Sequence, residues 1–374
     1  MISDGAITIS LNKAGVSIHS NRPIHASNIF EGKTVTETLQ TLPLLFSVCG
    51  QAQSVAAQRA CESIANIIPD PLQEITRERI VAQETIREHC WRILLGWAAL
   101  VKQTPEQKSM ALLLSTQQHY LKHINHSKPT DNGNYDNDST TIKRILNKKI
   151  FGIPTEEWLS IADISQFEEW LKIKNITVAT EMLNFIQQSG WNNLGSCRSQ
   201  PLPTILSSER LTRLMENPLY IEQPLWDGEP CESTPLTRIH SPLVETLKEN
   251  YGNGLIVRQV ARLAELAQLV IGMDKTPSTV DSTPKNIGEI GSGIGRAQAA
   301  RGELIHHVKI DEKEGKEIIK KYQILAPTEW NFHPEGVVAA SLKTLNMKSP
   351  TIFEEATLII GAIDPCVAYN LKYK

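Results

Sequence analysis

The sequence is short of the features that mark the easily named protein classes. It has six cysteines in 374 residues, at 49, 61, 90, 197, 231 and 366, and no two form a C-x-x-C pair. A disulfide framework is not expected from so sparse a set in a chain of this size, so the question is which thiols fill the core and which bind something. There is no excess of one charge. Lys and Arg number 38 against 41 Asp and Glu, for a net charge of −3, with no basic stripe. A protein that neutralises phosphates would normally show one, so a nucleic-acid partner is not expected. Long apolar runs are missing too. The best, Ile93 to Val101, is far short of the roughly 18 residues a bilayer requires, and no membrane span is expected. Met1-Ile2-Ser3-Asp4-Gly5 lacks a basic stretch and an apolar core, so no secretory signal is read and the cytoplasm is the expected location. Glycine (21) and proline (20) are near average, which excludes collagen-like and low-complexity chains.

What is present is ordinary globular material, 41% hydrophobic and 21% charged. The length fits two or three domains of about 150 residues, or one large one. Residues 6–20 alternate as a hairpin around Asn12 to Gly15, and an irregular stretch follows to about Leu42. Helices are expected over about 51–66, from Asp70-Pro71 to about Val101, and over 105–123, 155–172, 176–188 and 255–271. The polar run 126–141 reads as a loop or insertion. Gly190 to Ser241 and 273–300 read as irregular. A second hairpin is expected over 303–325, then helices near 335–346 and 351–361 and a short tail. There is no internal repeat and no strand–helix alternation, which argues against a doubly wound nucleotide fold. The expected class is mainly α with small β hairpins (α+β).

Chemistry is carried by few residues. Cys49-Gly50 precedes a helix, whose positive end favours thiolate, the form that binds soft metals. Cys366 lies in Asp364-Pro365-Cys366, just after a helix. Taken alone, each cysteine reads first as a small buried hydrophobe. Cys61 and Cys90 sit on apolar helical stripes and read as core, while Cys197 and Cys231 are unassigned. The glycine-rich run Gly288 to Gly295 lacks the strand–loop–helix setting of a phosphate loop, so it reads as a tight loop against packed backbone. His306 and His307 are adjacent on a strand and face opposite ways, so they do not share a metal and one should meet solvent. Ala326 to Phe332 reads as a proline-initiated turn with a buried Trp330.

In order along the chain, these pieces resemble the large subunit of nickel–iron hydrogenases. That family has an amino-terminal R-x-C-G-x-C, an A-P-R-G ahead of a hairpin, an A-P-T-x-W-N run and a terminal D-P-C-x-x-C. Here they stand as Ser47-Val48-Cys49-Gly50-Gln51-Ala52, Ala299-Ala300-Arg301-Gly302, Ala326 to Asn331, and Asp364-Pro365-Cys366-Val367-Ala368-Tyr369. Phe30-Glu31-Gly32 and Leu255 to Glu265 are looser matches, and the similarity is vague between about 100 and 220. The resemblance implies a shortened large-subunit-like fold, one domain over 1–374, with the two chain ends meeting at the site.

The departures bear on activity. In the family, four thiolates bind nickel, and the second of each pair also bridges to an iron carrying cyanide and carbon monoxide. Here both second positions are lost, as Ala52 and Tyr369, and no His follows Cys366. The pattern resembles the HupK/HoxV-type hydrogenase maturation proteins. The resemblance implies a non-catalytic scaffold in which Cys49 and Cys366 hold the Fe(CN)2CO unit transiently, without nickel. Arg301 would face its cyanide or form a structural ion pair, and Glu31 is a weaker polar neighbour or a surface carboxylate. The implied partners are a small HypC-type maturation chaperone and the hydrogenase large-subunit precursor. The alternatives are a metal-free structural subunit of a redox complex and a reduced but active hydrogenase.

Overall fold

A computed structural model describes residues 5–13, 15–46, 48–126, 135–273, 292–313 and 315–373. The chain forms two compact units interleaved along the sequence. The first takes Met1–Asp70, Cys197–Arg238 and Asp281–Lys374, and the second takes Pro71–Ser196 and Ile239–Val280. The class is the expected one, helical with small sheets.

The first unit contains all the described strands: β1 (Ala6–Asn12), β2 (Gly15–Ser20), β3 (Gln200–Pro201), β4 (Cys231–Glu232), β5 (Ser292–Ala299), β6 (Gly302–Lys313), β7 (Lys316–Leu325) and β8 (Ala368–Tyr373). β1 and β2 form the expected hairpin, with Ile9 opposite Ile18. Ile7, Ile9 and Leu11 project to one side and are buried, as their alternation requires. The expected tail is instead a strand. β8 pairs in parallel with β1, from Ala6 opposite Ala368 to Leu11 opposite Tyr373, and so brings the two ends together. It is an edge strand with little burial, so it carries almost no apolar alternation.

The second expected hairpin is β6–β7, and β5 extends it to three strands in the order β5-β6-β7. Residues 292–299 are therefore strand rather than loop. Gly288 to Gly291 of the glycine-rich run lie outside the described residues, as do 127–134. Gly293 and Gly295 lie against the Gly50–Ile64 helix, where a methyl group at either position would collide with the carbonyl oxygen of Ala60 or Ala56. The helix answers with Ala52, Ala56 and Ala60, all fully buried.

This sheet is covered on both faces. Ile294, Ile305 and Leu325 join a cluster with Leu211, Met215, Trp226 and Trp330. Val308 and Tyr322, on the other face, join Phe30, Leu42, Ala57 and Ala60. His306 and His307 do point to opposite faces, but both are buried, at 0% and 1% exposure. The expectation that one meets solvent fails because neither face of the sheet is open.

Two further segments differ from expectation. Val35–Leu45 is a helix, closed at its start by a reciprocal pair: Glu37 N–H donates to Thr34 Oγ1, and Thr34 N–H donates to Glu37 Oε2. Pro43 lies inside it and masks the helical pattern. Within Gly190 to Ser241, Ser208–Met215 and Pro218–Glu222 are short helices capped by Ser207 and Asn217.

The second unit is helical. Pro71–Trp91 continues through a π turn at Arg92–Trp97 into Ala98–Leu100, followed by Gln107–His126. The polar segment becomes a helix at Tyr135–Leu146, so the expected loop is too long at its carboxyl end. Its buried stripe is Ser139, Ile142, Ile145 and Leu146. Leu255–Gly272 is buried almost all round and encloses Arg258, Gln259, Arg262 and Glu265. Glu265 pairs with His89 at 2.7 Å.

Candidate functional site

The two thiols singled out in the sequence belong to the first unit. Cys49 is the residue that caps the start of the Gly50–Ile64 helix, and it is half-buried. It therefore stands at the end of the helix that carries the partial positive charge. One turn on, the Gln53 side chain donates from Nε2 to Cys49 Sγ at 3.5 Å. Cys366 follows the Ile352–Ile363 helix, whose cap residue Asp364 adopts a left-handed conformation that turns the chain out of the helix. Cys366 Sγ lies 3.0 Å from Thr328 Oγ1, in the Pro327–Asn331 helix. The Ala326 to Asn331 run thus holds the terminal cysteine through its threonine, and Trp330 is fully buried beneath, as expected.

A buried cation is within electrostatic reach of both thiols. Arg22, just past β2, is ion-paired with Glu329, and both side chains are largely buried. Glu329 also accepts from Ala326 N–H at 3.2 Å, which ties the pair to the same short helix. Burial works against the charge on Arg22. It is outweighed by Glu329, then Cys366, then Cys49, so the guanidinium is held above its ordinary pKa. Both sulfurs act on one guanidinium, so the fold brings Cys49 and Cys366 to the same charge from opposite ends of the sequence.

Arg301 sits in the turn between β5 and β6 and forms an ion pair with Asp364, Nε to Oδ2 at 3.5 Å. Its carbonyl accepts from Asn331 Nδ2 at 3.3 Å. Arg301 is thereby tied to the residue two positions before Cys366. Glu31 is exposed, and its backbone closes a short 3-10 helix. Ala52 is fully buried against the sheet and Tyr369 is half-buried on β8, and neither supplies a soft ligand. Among the described residues, no group of three or more His, Cys, Asp or Glu is placed to hold a metal ion.

The other thiols fall apart from this site. Burial pushes Cys61 up to about 12, with Glu317 and Glu62 adding to it, and pushes Cys231 up to about 11. Cys90, with no exposed surface, is raised by burial alone. These three are protonated at neutral pH. Cys197 lies 3.4 Å from Ser341 Oγ.

Arg22, Gln53 and Thr328 escape a reading of the sequence. Arg22 belongs to no local motif. Gln53 reads as an ordinary polar helix residue, and Thr328 as a turn residue. Only the fold shows what each one meets.

Residues 233–371 match the family model described as nickel-dependent hydrogenase. The hydrogenase expression/formation protein HoxV of Cupriavidus necator is 26% identical over 95% of this chain and 92% of its own length. HupK of Azotobacter vinelandii, also a hydrogenase expression/formation protein, is 24% identical over 96% of this chain and 94% of its own. Among solved structures, the Ni-Fe-Se hydrogenase of Desulfovibrio vulgaris Hildenborough superposes with a TM-score of 0.56 at 14% identity, covering 94% of this chain and 93% of that one. The chain thus has a nickel–iron hydrogenase large-subunit-like α+β fold, and over nearly its whole length it is similar to the HoxV/HupK-type hydrogenase expression/formation proteins.

Proposed function

We propose that this protein is a non-catalytic scaffold in hydrogenase maturation, holding the Fe(CN)2CO unit between Cys49 and Cys366 and then passing it on. The observation that carries the reading is a pair of thiols that both act electrostatically on Arg22, with Ala52 and Tyr369 where the resemblance places two more thiolates. Iron takes soft thiolate ligands readily. Two thiolate bonds with no second metal bridged through them leave the iron open to release, and a donor must let go. An iron(II) bearing two cyanides and two thiolates is anionic overall. The guanidinium of Arg22 and the helix end at Cys49 both favour negative charge there. A hydrogenase active site would need soft ligands at the two lost positions, so no turnover is assigned. The unit would arrive from a small HypC-type chaperone and leave to the hydrogenase large-subunit precursor.

The test is infrared spectroscopy with iron analysis, on protein purified without oxygen from cells that express the maturation machinery. Cyanide and carbonyl bands are expected in the wild type. They should disappear, with the iron, in Cys49→Ala and in Cys366→Ala, while the fold persists. No bands and no iron in fully competent cells would overturn the reading in favour of a metal-free structural subunit. Wild-type maturation in both variants would remove the two-cysteine mechanism.

A further inference from the structure

Behind Cys49 runs a line of buried polar side chains that leads away from the site. Gln53 Oε1 lies 2.7 Å from His306 Nε2, and His306 Nδ1 lies 2.7 Å from the Tyr322 hydroxyl. Gln53 is 2% exposed, and His306 and Tyr322 are fully buried. The line crosses from the Gly50–Ile64 helix to β6 and β7, on the sheet face that carries Gly293 and Gly295.

Its direction is fixed from the far end. Among the described residues, His306 Nδ1 is the only hydrogen-bond partner of the Tyr322 hydroxyl. A buried hydroxyl that fails to donate is costly, so Tyr322 donates to Nδ1. A neutral imidazole carries one proton, which then sits on Nε2 and points at Gln53 Oε1. Burial keeps the ring neutral by driving its pKa down to about 3. With its oxygen engaged, the Gln53 amide has one orientation left, N–H toward Cys49 Sγ. Each donor in the line points at the sulfur.

We propose that Gln53 is a positioning residue for the metal-carrying thiolate: His306 and Tyr322 lock its amide so that a fixed N–H rests on the Cys49 sulfur and weakens that sulfur's hold on iron. This rests on the function proposed above. A hydrogen bond to a ligating sulfur draws off electron density and lowers its donor strength. Other charged and titratable groups bear on the line at its two ends: Arg22, paired with Glu329, interacts electrostatically with Cys49 and Cys366, and Cys61 with Tyr322. A permanent site gains nothing from a weakened bond, whereas a carrier needs one that opens on contact with its acceptor.

The experiment compares wild type, Gln53→Leu and Tyr322→Phe. Tyr322→Phe keeps the ring in its place beside Phe30, at a centroid distance of 5.0 Å, and touches neither cysteine. In the cargo-free protein, nitrogen NMR of labelled histidine should show His306 protonated on Nε2, and this preference should be lost in Tyr322→Phe. A wild-type His306 protonated on Nδ1 would overturn the proposal. In iron-loaded protein, both variants should shift the carbonyl stretch to lower wavenumber, because a stronger thiolate donor raises back-donation into carbon monoxide. Transfer to the large-subunit precursor should slow as well. Unchanged frequencies at full iron content in both variants would overturn the positioning role and leave the scaffold standing. Absence of bands in the wild type would instead take down the scaffold, and this inference with it.

Discussion

One glycine substitution tests how the sheet and the Cys49 helix are fitted together. Gly295→Ala places a methyl group against the carbonyl oxygen of Ala56 and the amide nitrogen of Ala60. Both are backbone atoms of a helix, so no side chain can swing aside. The helix must move, or β5 must. Overpacking a well-filled interior costs about 1–3 kcal/mol, and a backbone collision belongs at the upper end of that range. In a unit of roughly 200 residues, about 3 kcal/mol lowers Tm by roughly 6–12 °C. The same helix carries Cys49 and Gln53, so displacing it also moves one thiol relative to Arg22, and iron content should fall along with Tm. Gly361→Ala is the control. Gly361 lies in the Ile352–Ile363 helix, and an added methyl group there meets nothing within 4 Å. That variant should gain about 0.5–1 kcal/mol from better helix propensity and keep its iron. Circular dichroism melts and iron analysis on both proteins suffice. If the two variants melt alike, or if Gly295→Ala melts with the wild type, the close approach of sheet and helix is not as described.

Three further outcomes follow from the same structure. Arg22→Met should cost about 3–5 kcal/mol, because it leaves Glu329 buried without its cation; pairing it with Glu329→Gln should recover much of this in urea titrations, while neither protein retains iron. Cys90→Ala should cost roughly 1 kcal/mol or more through a small cavity, with metal content unchanged, as read from denaturant midpoints and iron assays. Acid should destabilise the protein through His306: between its free value of 6.5 and about 3 the unfolded chain binds the proton and the folded one does not, so stability falls as pH drops through that window, by up to about 1.4 kcal/mol per unit. His306→Gln should flatten this dependence, and an equally steep acid limb in that variant would show that the histidine is not its source.

Elements whose packing is local could be read from the sequence. β1–β2 and β6–β7 alternate visibly, and Leu255–Gly272 carries an apolar face of Ile256, Val260, Leu263, Ala267 and Val270. β5 was hidden because its two key residues are glycines, which weaken a strand by themselves and make sense only against the alanines of a distant helix. β8 was hidden because an exposed edge strand has little to bury. The burial of both His306 and His307 depends on clusters built from residues far away in the sequence. The same holds at the site. Cys49 and Cys366 stand out through their motif surroundings, whereas Arg22, Gln53 and Thr328 matter only for what the fold sets beside them.

The parallel pairing of β1 with β8 also sets a timetable. A ribosome releases β1 early and β8 after every other described element. Until β8 arrives, β1 has an open edge, and the long loop between them must be closed against its entropy. Cys366 lies just ahead of β8, so the second thiol comes into place as the sheet is completed. A nascent chain therefore carries Cys49 without Cys366 until β8 emerges, and the two thiols share one folded unit only once that strand has joined β1.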